Sequence, residues 1–191
     1  MLELTPAGEL VSMLFDHPDE TIKMSDADKA SYDDVSIYEL TPERERELLE
    51  KQVEAVFMWS NKAGHPIGVI MNYIYHDGRI WLTATSQRAR IKAIKRDPRV
   101  SVTVSSMGTD MGPGKTITYK GSVIIHEDQA TKDWFYPAMA QLLDGYPATS
   151  VEAAIEMLDT PLRVILELVP ELAIKFDGDK VAAMSKAAAE Q

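Results

Sequence analysis

The chain has 191 residues, 45% of them hydrophobic, a formal net charge of −10 and no cysteine. That length supports one well-buried core rather than two full domains, and the missing thiols exclude disulfides, thiolate catalysis and zinc–thiolate sites. The acidic balance works against nonspecific attraction to nucleic acid or anionic lipid, no apolar run approaches the ~18 residues of a membrane span, and MLELTPAGEL lacks the basic start of a signal peptide, so a soluble cytoplasmic protein is expected.

In chain order, Thr5-Pro6 predicts a helix to Phe15, and the acidic stretch from Asp16 to Asp34 predicts a loop. Thr41-Pro42 starts a second helix with Leu48, Leu49 and Val53 on its inner side. Strands are expected at Ala55–Asn61, at Pro66–Tyr75 and, after the tight-turn dipeptide Asp77-Gly78, at Arg79–Ala84. A short helix from Ser86 to Arg96 is stopped by Asp97-Pro98, and a strand follows from Arg99 to Ser105. The glycines of MGTDMGPGK predict a flexible loop before a strand at Thr116–Ile125, in which Gly121 marks a bulge or a close approach. Helices are expected from Glu127 to Leu143 and from Ser150 to Leu158. Two last strands, Leu162–Leu168 and Leu172–Phe176, lead to a turn at Asp177-Gly178 and an alanine-rich tail. The fold class is α+β, mainly antiparallel: a six- or seven-stranded split β-barrel with flanking helices and an N-terminal helical extension. Its divisions are an extension over 1–52, the barrel over 53–180 and a tail over 181–191.

The basic residues are unevenly spread. Arg88, Arg90, Lys92, Lys95 and Arg96 fall together, with no acid between Thr83 and Arg96. A solvated helix face is the ordinary reading of such a run. Here it follows Thr85 and Ser86 at a strand-to-helix junction in an acidic chain, and a helix start offers unpaired N–H groups and partial positive charge, so an anion site is favoured. Arg99, just after Pro98, reads as a structural ion pair. Trp59, Trp81 and Trp134 read as core or dimer contacts. The histidines His17, His65, His76 and His126 form no metal-ligand spacing. A nucleic-acid module built on the basic helix ranks low, because no aromatic is interleaved with the bases.

The central order, His76-Asp77-Gly78-Arg79, then Thr83 to Arg90, then Asp97-Pro98-Arg99-Val100, then Lys120-Gly121-Ser122, resembles the pyridoxamine 5'-phosphate oxidase-like family of flavin-binding split β-barrels, which includes deazaflavin-dependent reductases. The resemblance spans roughly Val53 to Glu127. It implies a homodimer, with the cofactor ring between subunits and its phosphate on the basic turn. Carried over, Thr83, Thr85 and Ser86 are hydrogen-bonding positions, Arg88 or Arg90 takes the phosphate with Lys92 one step further, and Asn72 and Tyr73 lie on the cofactor-facing strand. The strand from Pro66 to Tyr75 departs from the vitamin oxidases in having no basic residue. That departure moves the implied cofactor from FMN toward coenzyme F-420, whose charged tail suits a longer basic track. The implied activity is hydride transfer between bound cofactor and a small unsaturated organic substrate. The alternative is a protein that binds or sequesters the cofactor without turnover.

Overall fold

The computed structural model describes residues 35–145 and 147–189. The helix expected at Thr5–Phe15 and the acidic loop after it lie outside them. After a short 3-10 turn at Val35–Tyr38, Thr41 caps helix α1 (Pro42–Lys51), its side chain accepting from the Arg44 N–H. Seven strands follow: β1 (Glu54–Ser60), β2 (Pro66–Asn72), β3 (Ile74–His76), β4 (Arg79–Thr85), β5 (Arg99–Ser105), β6 (Lys115–His126) and β7 (Arg163–Asp177). Helix α2 (Ala89–Arg96) joins β4 to β5, α3 (Gln129–Leu142) and α4 (Val151–Leu158) lie between β6 and β7, and α5 (Gly178–Ala189) ends the described chain.

All strand pairs are antiparallel, in the order β2-β1-β5-β6-β7-β4-β3. The two edge strands, β2 and β3, are consecutive in the chain and separated only by Tyr73, whose N–H donates to Val53 O at 3.1 Å. One bent segment therefore borders both ends of the sheet and curls it into a split barrel. Asp77 and Gly78, both at positive φ (49° and 74°), make the turn that returns β3 into β4.

Alternation along the strands sends Phe57, Leu82, Val102, Ile117 and Leu166 into one buried cluster. Leu48 and Leu49 of α1 and Ile91 and Ile94 of α2 belong to the same cluster. The core thus takes in α1, ahead of the expected boundary at residue 52. A second cluster lies on the other face of β4 and β7, where Trp81 and Ile165 pack under Phe135, Tyr136 and Met139 of α3 and Leu158 of α4. At its margin, Glu167 accepts from Arg79 and pairs with His126 Nε2 at 2.7 Å. No helix among the described residues is long and apolar enough to cross a membrane.

Three local readings change. The last strand pair is a single 15-residue strand, β7: Pro170 causes no turn, because a register shift between Lys120 and Gly121 absorbs an extra residue opposite them. The glycine loop is tied down rather than loose. Lys115 Nζ reaches the carbonyls of Met111 (2.8 Å) and Pro113 (3.1 Å), and Gln52 holds those of Ser105 and Met107. The tail begins as helix α5, anchored by Lys180 Nζ on Glu39 O at 2.7 Å.

Gly121 is a close-approach point. A Cβ there would stand 2.1 Å from Val169 O. Gly121→Ala is expected to cost about 1–3 kcal/mol of stability through overpacking against backbone, read as a lower urea midpoint at unchanged slope. An unshifted midpoint would mean that the bulge relaxes freely.

Candidate functional site

The basic junction is shorter as a helix than its sequence suggests. Ser86 to Arg88 form a turn, in which the Ser86 N–H donates to Leu162 O (2.7 Å) and the Arg88 N–H to Thr85 O (3.0 Å). Helix α2 then starts with Arg88 as its N-cap, and no side chain among the described residues caps it. Of the first-turn N–H groups, that of Ile91 donates to Arg88 O at 3.0 Å, while an uncapped start leaves the earlier ones without an intrahelical partner.

A cavity of about 280 Å³ opens next to this turn, lined by Met71 and Asn72 of β2, Thr83 of β4, Arg90 of α2, Met139 and Leu143 at the end of α3, Pro147, Met157 and Leu158 of α4, and Arg163 of β7. Its walls are mainly apolar, with four polar groups converging from different elements. Arg90 Nε is buried without a hydrogen-bond partner among the described residues. Burial and then the nearby Arg88 pull its guanidinium below the ordinary value. Burial and Arg88 act the same way on Arg163, with Tyr136 opposing them. None of Arg88, Arg90, Lys92 and Arg163 forms an ion pair with a carboxylate among the described residues. Arg90 and Arg163, both partly desolvated and without a compensating acid among the described residues, make an arrangement that an anion would stabilise.

The expected site residues divide. Asn72, Thr83 and Arg90 line the cavity; Arg88 is exposed at its mouth; Thr85 and Ser86 are half-buried in the turn behind it; Lys92 is exposed on α2. Thr83 Oγ1 donates its proton to Val164 O at 2.9 Å, so toward a ligand it offers lone pairs only. Tyr73 does not face the cavity. It is buried in the core, donating to Leu49 O at 2.9 Å, and burial pushes its hydroxyl well above the ordinary value. Tyr73 sits at the bend between β2 and β3, where its side chain turns into the core while that of the preceding Asn72 lines the cavity. Arg163 is the site residue that pattern reading passed over.

Elsewhere the outcome is structural. Arg99 grips Asp97 through two bonds of 2.9 and 2.7 Å, and this pairing holds the Asp97 carboxyl down at about 2. A larger hollow of about 430 Å³ takes in this Asp97–Arg99 pair and also reaches Lys120 and Glu171. No group of three metal-ligating side chains occurs among the described residues.

The cavity's chemistry fits a flavin-type phosphate: an orphaned buried guanidinium N–H on Arg90, a second arginine, Arg163, and an apolar wall beside them. Comparison with known proteins gives the fold the same company. No curated protein matches the chain by sequence. Among solved structures, a conserved hypothetical protein from Mycobacterium tuberculosis is similar at 18% identity and a TM-score of 0.65, over 76% of this chain and 89% of that one. A FAD-binding protein from Mesorhizobium loti is similar at 18% identity and 0.54, over 71% and 94%. An F-420 reductase is similar at 23% identity and 0.54, over 68% and 94%. At such identities these likenesses speak for the fold alone. Residues 40–173 match the family model described as pyridoxamine 5'-phosphate oxidase, which is most of the chain, and the chain belongs to that family.

Proposed function

We propose that the chain binds a phosphate-bearing flavin or deazaflavin at the Arg88–Arg90 turn and acts as an oxidoreductase passing a hydride between that cofactor and a small unsaturated organic substrate. The observation that carries this reading is Arg90, whose buried Nε lacks a partner among the described residues at the charged end of an otherwise apolar cavity. A bound cofactor of this class supplies the hydride chemistry, and the protein supplies grip, orientation and exclusion of water. In that division Arg88 and Arg90 hold the phosphate, Lys92 extends the basic track, Asn72 and the Thr83 lone pairs orient polar edges, and the methionines Met71, Met139 and Met157 bound the ring. Among the described residues that line the cavity there is no general base, which is compatible with such a role. Coenzyme F-420 is favoured over FMN because β2 and β3 carry no basic residue before His76, whereas α2 adds Lys92, Lys95 and Arg96.

The site is completed, on this reading, by a second copy of the chain. A volume of about 280 Å³ is small for a whole cofactor, against roughly 300–1,000 Å³ for ligand pockets in general. The outer sheet face also carries an uncovered row, Ile70, Val56, Thr103, Thr118 and Ile174, aligned by strand register, in which Ile70 is 68% and Ile174 58% exposed. A monomer seldom leaves such a patch to water.

The test is equilibrium binding of FMN, riboflavin and F-420 at two salt concentrations, with sedimentation on the same samples. A phosphate-bearing ring should bind more tightly than riboflavin and lose affinity as salt rises. Absence of binding by all three would overturn the reading. Reduction and reoxidation of the bound cofactor with no candidate substrate consumed would favour a binding or sequestering protein instead.

A further inference from the structure

Arg163 holds an unusual position. Strand β7 begins with it, paired in register with Thr85 and so placed on the same face of the sheet as the basic turn. Its Nε donates to Leu158 O at 3.1 Å and its Nη2 to Met157 O at 3.3 Å, the two carbonyls that end α4. One guanidinium thus caps a helix C-terminus, where positive charge is favoured. The same guanidinium lines the cavity together with Arg90. Only part of its five-donor fork is used by the carbonyls, which leaves Nη1 for another acceptor. Behind it, the Tyr136 hydroxyl is buried without a hydrogen-bond partner among the described residues; burial and then Asp159 push its pKa up, with Arg163 opposing them.

We infer that Arg163 is the third cation of the anion site and a positioning residue, fixing the Met157–Leu158 wall of the cavity to the phosphate of the ligand. The inference rests on the proposed function for the identity of the ligand, but not for its charge. In the free protein Arg88 repels both Arg90 and Arg163, which line the cavity together, and an anion drawn between them relieves that repulsion. With the anion in place, Arg163 keeps its hold on the last carbonyls of α4, so the apolar wall is set where the ring must lie. The cavity therefore selects a ring bearing a phosphate over the same ring without one.

The experiment uses inorganic phosphate as the first probe and FMN and riboflavin as the second, on the wild-type chain, Arg163→Gln and Arg163→Lys. Phosphate should raise the melting temperature of the wild type and of Arg163→Lys, and raise that of Arg163→Gln distinctly less. Arg163→Gln should weaken FMN binding about tenfold more than riboflavin binding, the loss of one charge-assisted contact, with a shallower salt dependence for FMN. Equal weakening of FMN and riboflavin would overturn the inference, since a mere prop for α4 would affect both alike. A wild type that phosphate does not stabilise would overturn it too. If no flavin binds but phosphate protection depends on Arg163, the cofactor reading fails and the anion site stands.

Discussion

Replacing Arg90 with alanine is expected to weaken binding of the phosphate-bearing cofactor by about tenfold to a hundredfold, the worth of one charge-assisted hydrogen bond to a desolvated anion. The apoprotein should remain at least as stable as the wild type. The two effects separate because Arg90 has no partner among the described residues: its Nε is buried without a hydrogen bond, and the charge acting on it is that of the like-charged Arg88. Removing it discards a repulsion and an unmet donor, not a native contact. Arg88, exposed at the N-cap, meets the ligand through water-screened charge, so Arg88→Ala should produce a smaller and more salt-sensitive loss. Titration of FMN and F-420 into both variants at low and high salt, with thermal unfolding of the apoproteins alongside, checks the pair. A destabilised Arg90→Ala that binds cofactor normally would make Arg90 a structural residue and remove the main support for the proposed site.

Much of this arrangement is legible in the order of the amino acids. Asp77-Gly78 requires positive φ angles and receives them, and Asp97-Pro98 ends α2 where a proline forbids its continuation. Gly121 sits where the backbone of β7 leaves no room for a side chain. These are local demands, and a sequence expresses local demands directly. Arg163 is different. Within LRVILEL it is an ordinary first residue of a strand, and its place in the site comes from pairing opposite Thr85, with 77 intervening residues, and from where α4 ends. Tyr73 shows the opposite case: the single strand expected over Pro66–Tyr75 is broken there into β2 and β3, and at that bend the tyrosine turns inward. Pro170 misleads because it reads as a break, while a bulge beside it in β7 lets one strand continue. The glycine loop misleads for a related reason: its order comes from residues beyond its ends, the distant Gln52 and the lysine just after it, Lys115.

That lysine carries the largest stability effect expected. Lys115→Met should destabilise the protein by about 2–4 kcal/mol, because two loop carbonyls are left without a donor at about 1–3 kcal/mol each, whereas Asp179, more than half exposed, is left to solvent and Arg44. Lys115 is only 2% exposed, and its Nζ lies 2.6 Å from Asp179 Oδ1 as well as within reach of the Met111 and Pro113 carbonyls. Methionine matches the stem in length and offers no donor, so two carbonyls lose their donor and Asp179 loses one of its two cations together. Arg44 then faces Asp177 and Asp179 alone, with 2.8 Å contacts to each, and cannot reach the loop carbonyls through them. The damage should therefore be directed. Amide hydrogen exchange should rise first in residues 107–114 and at the start of α5, which meets the loop where the Gly178 N–H donates to Gly114 O at 2.9 Å. Lys92→Met, on the exposed face of α2, serves as the control and should leave stability within about 0.5 kcal/mol of the wild type. If Lys115→Met unfolds at the wild-type urea midpoint, or if exchange rises uniformly instead of at the loop and α5, the lysine is not what orders the glycine-rich segment.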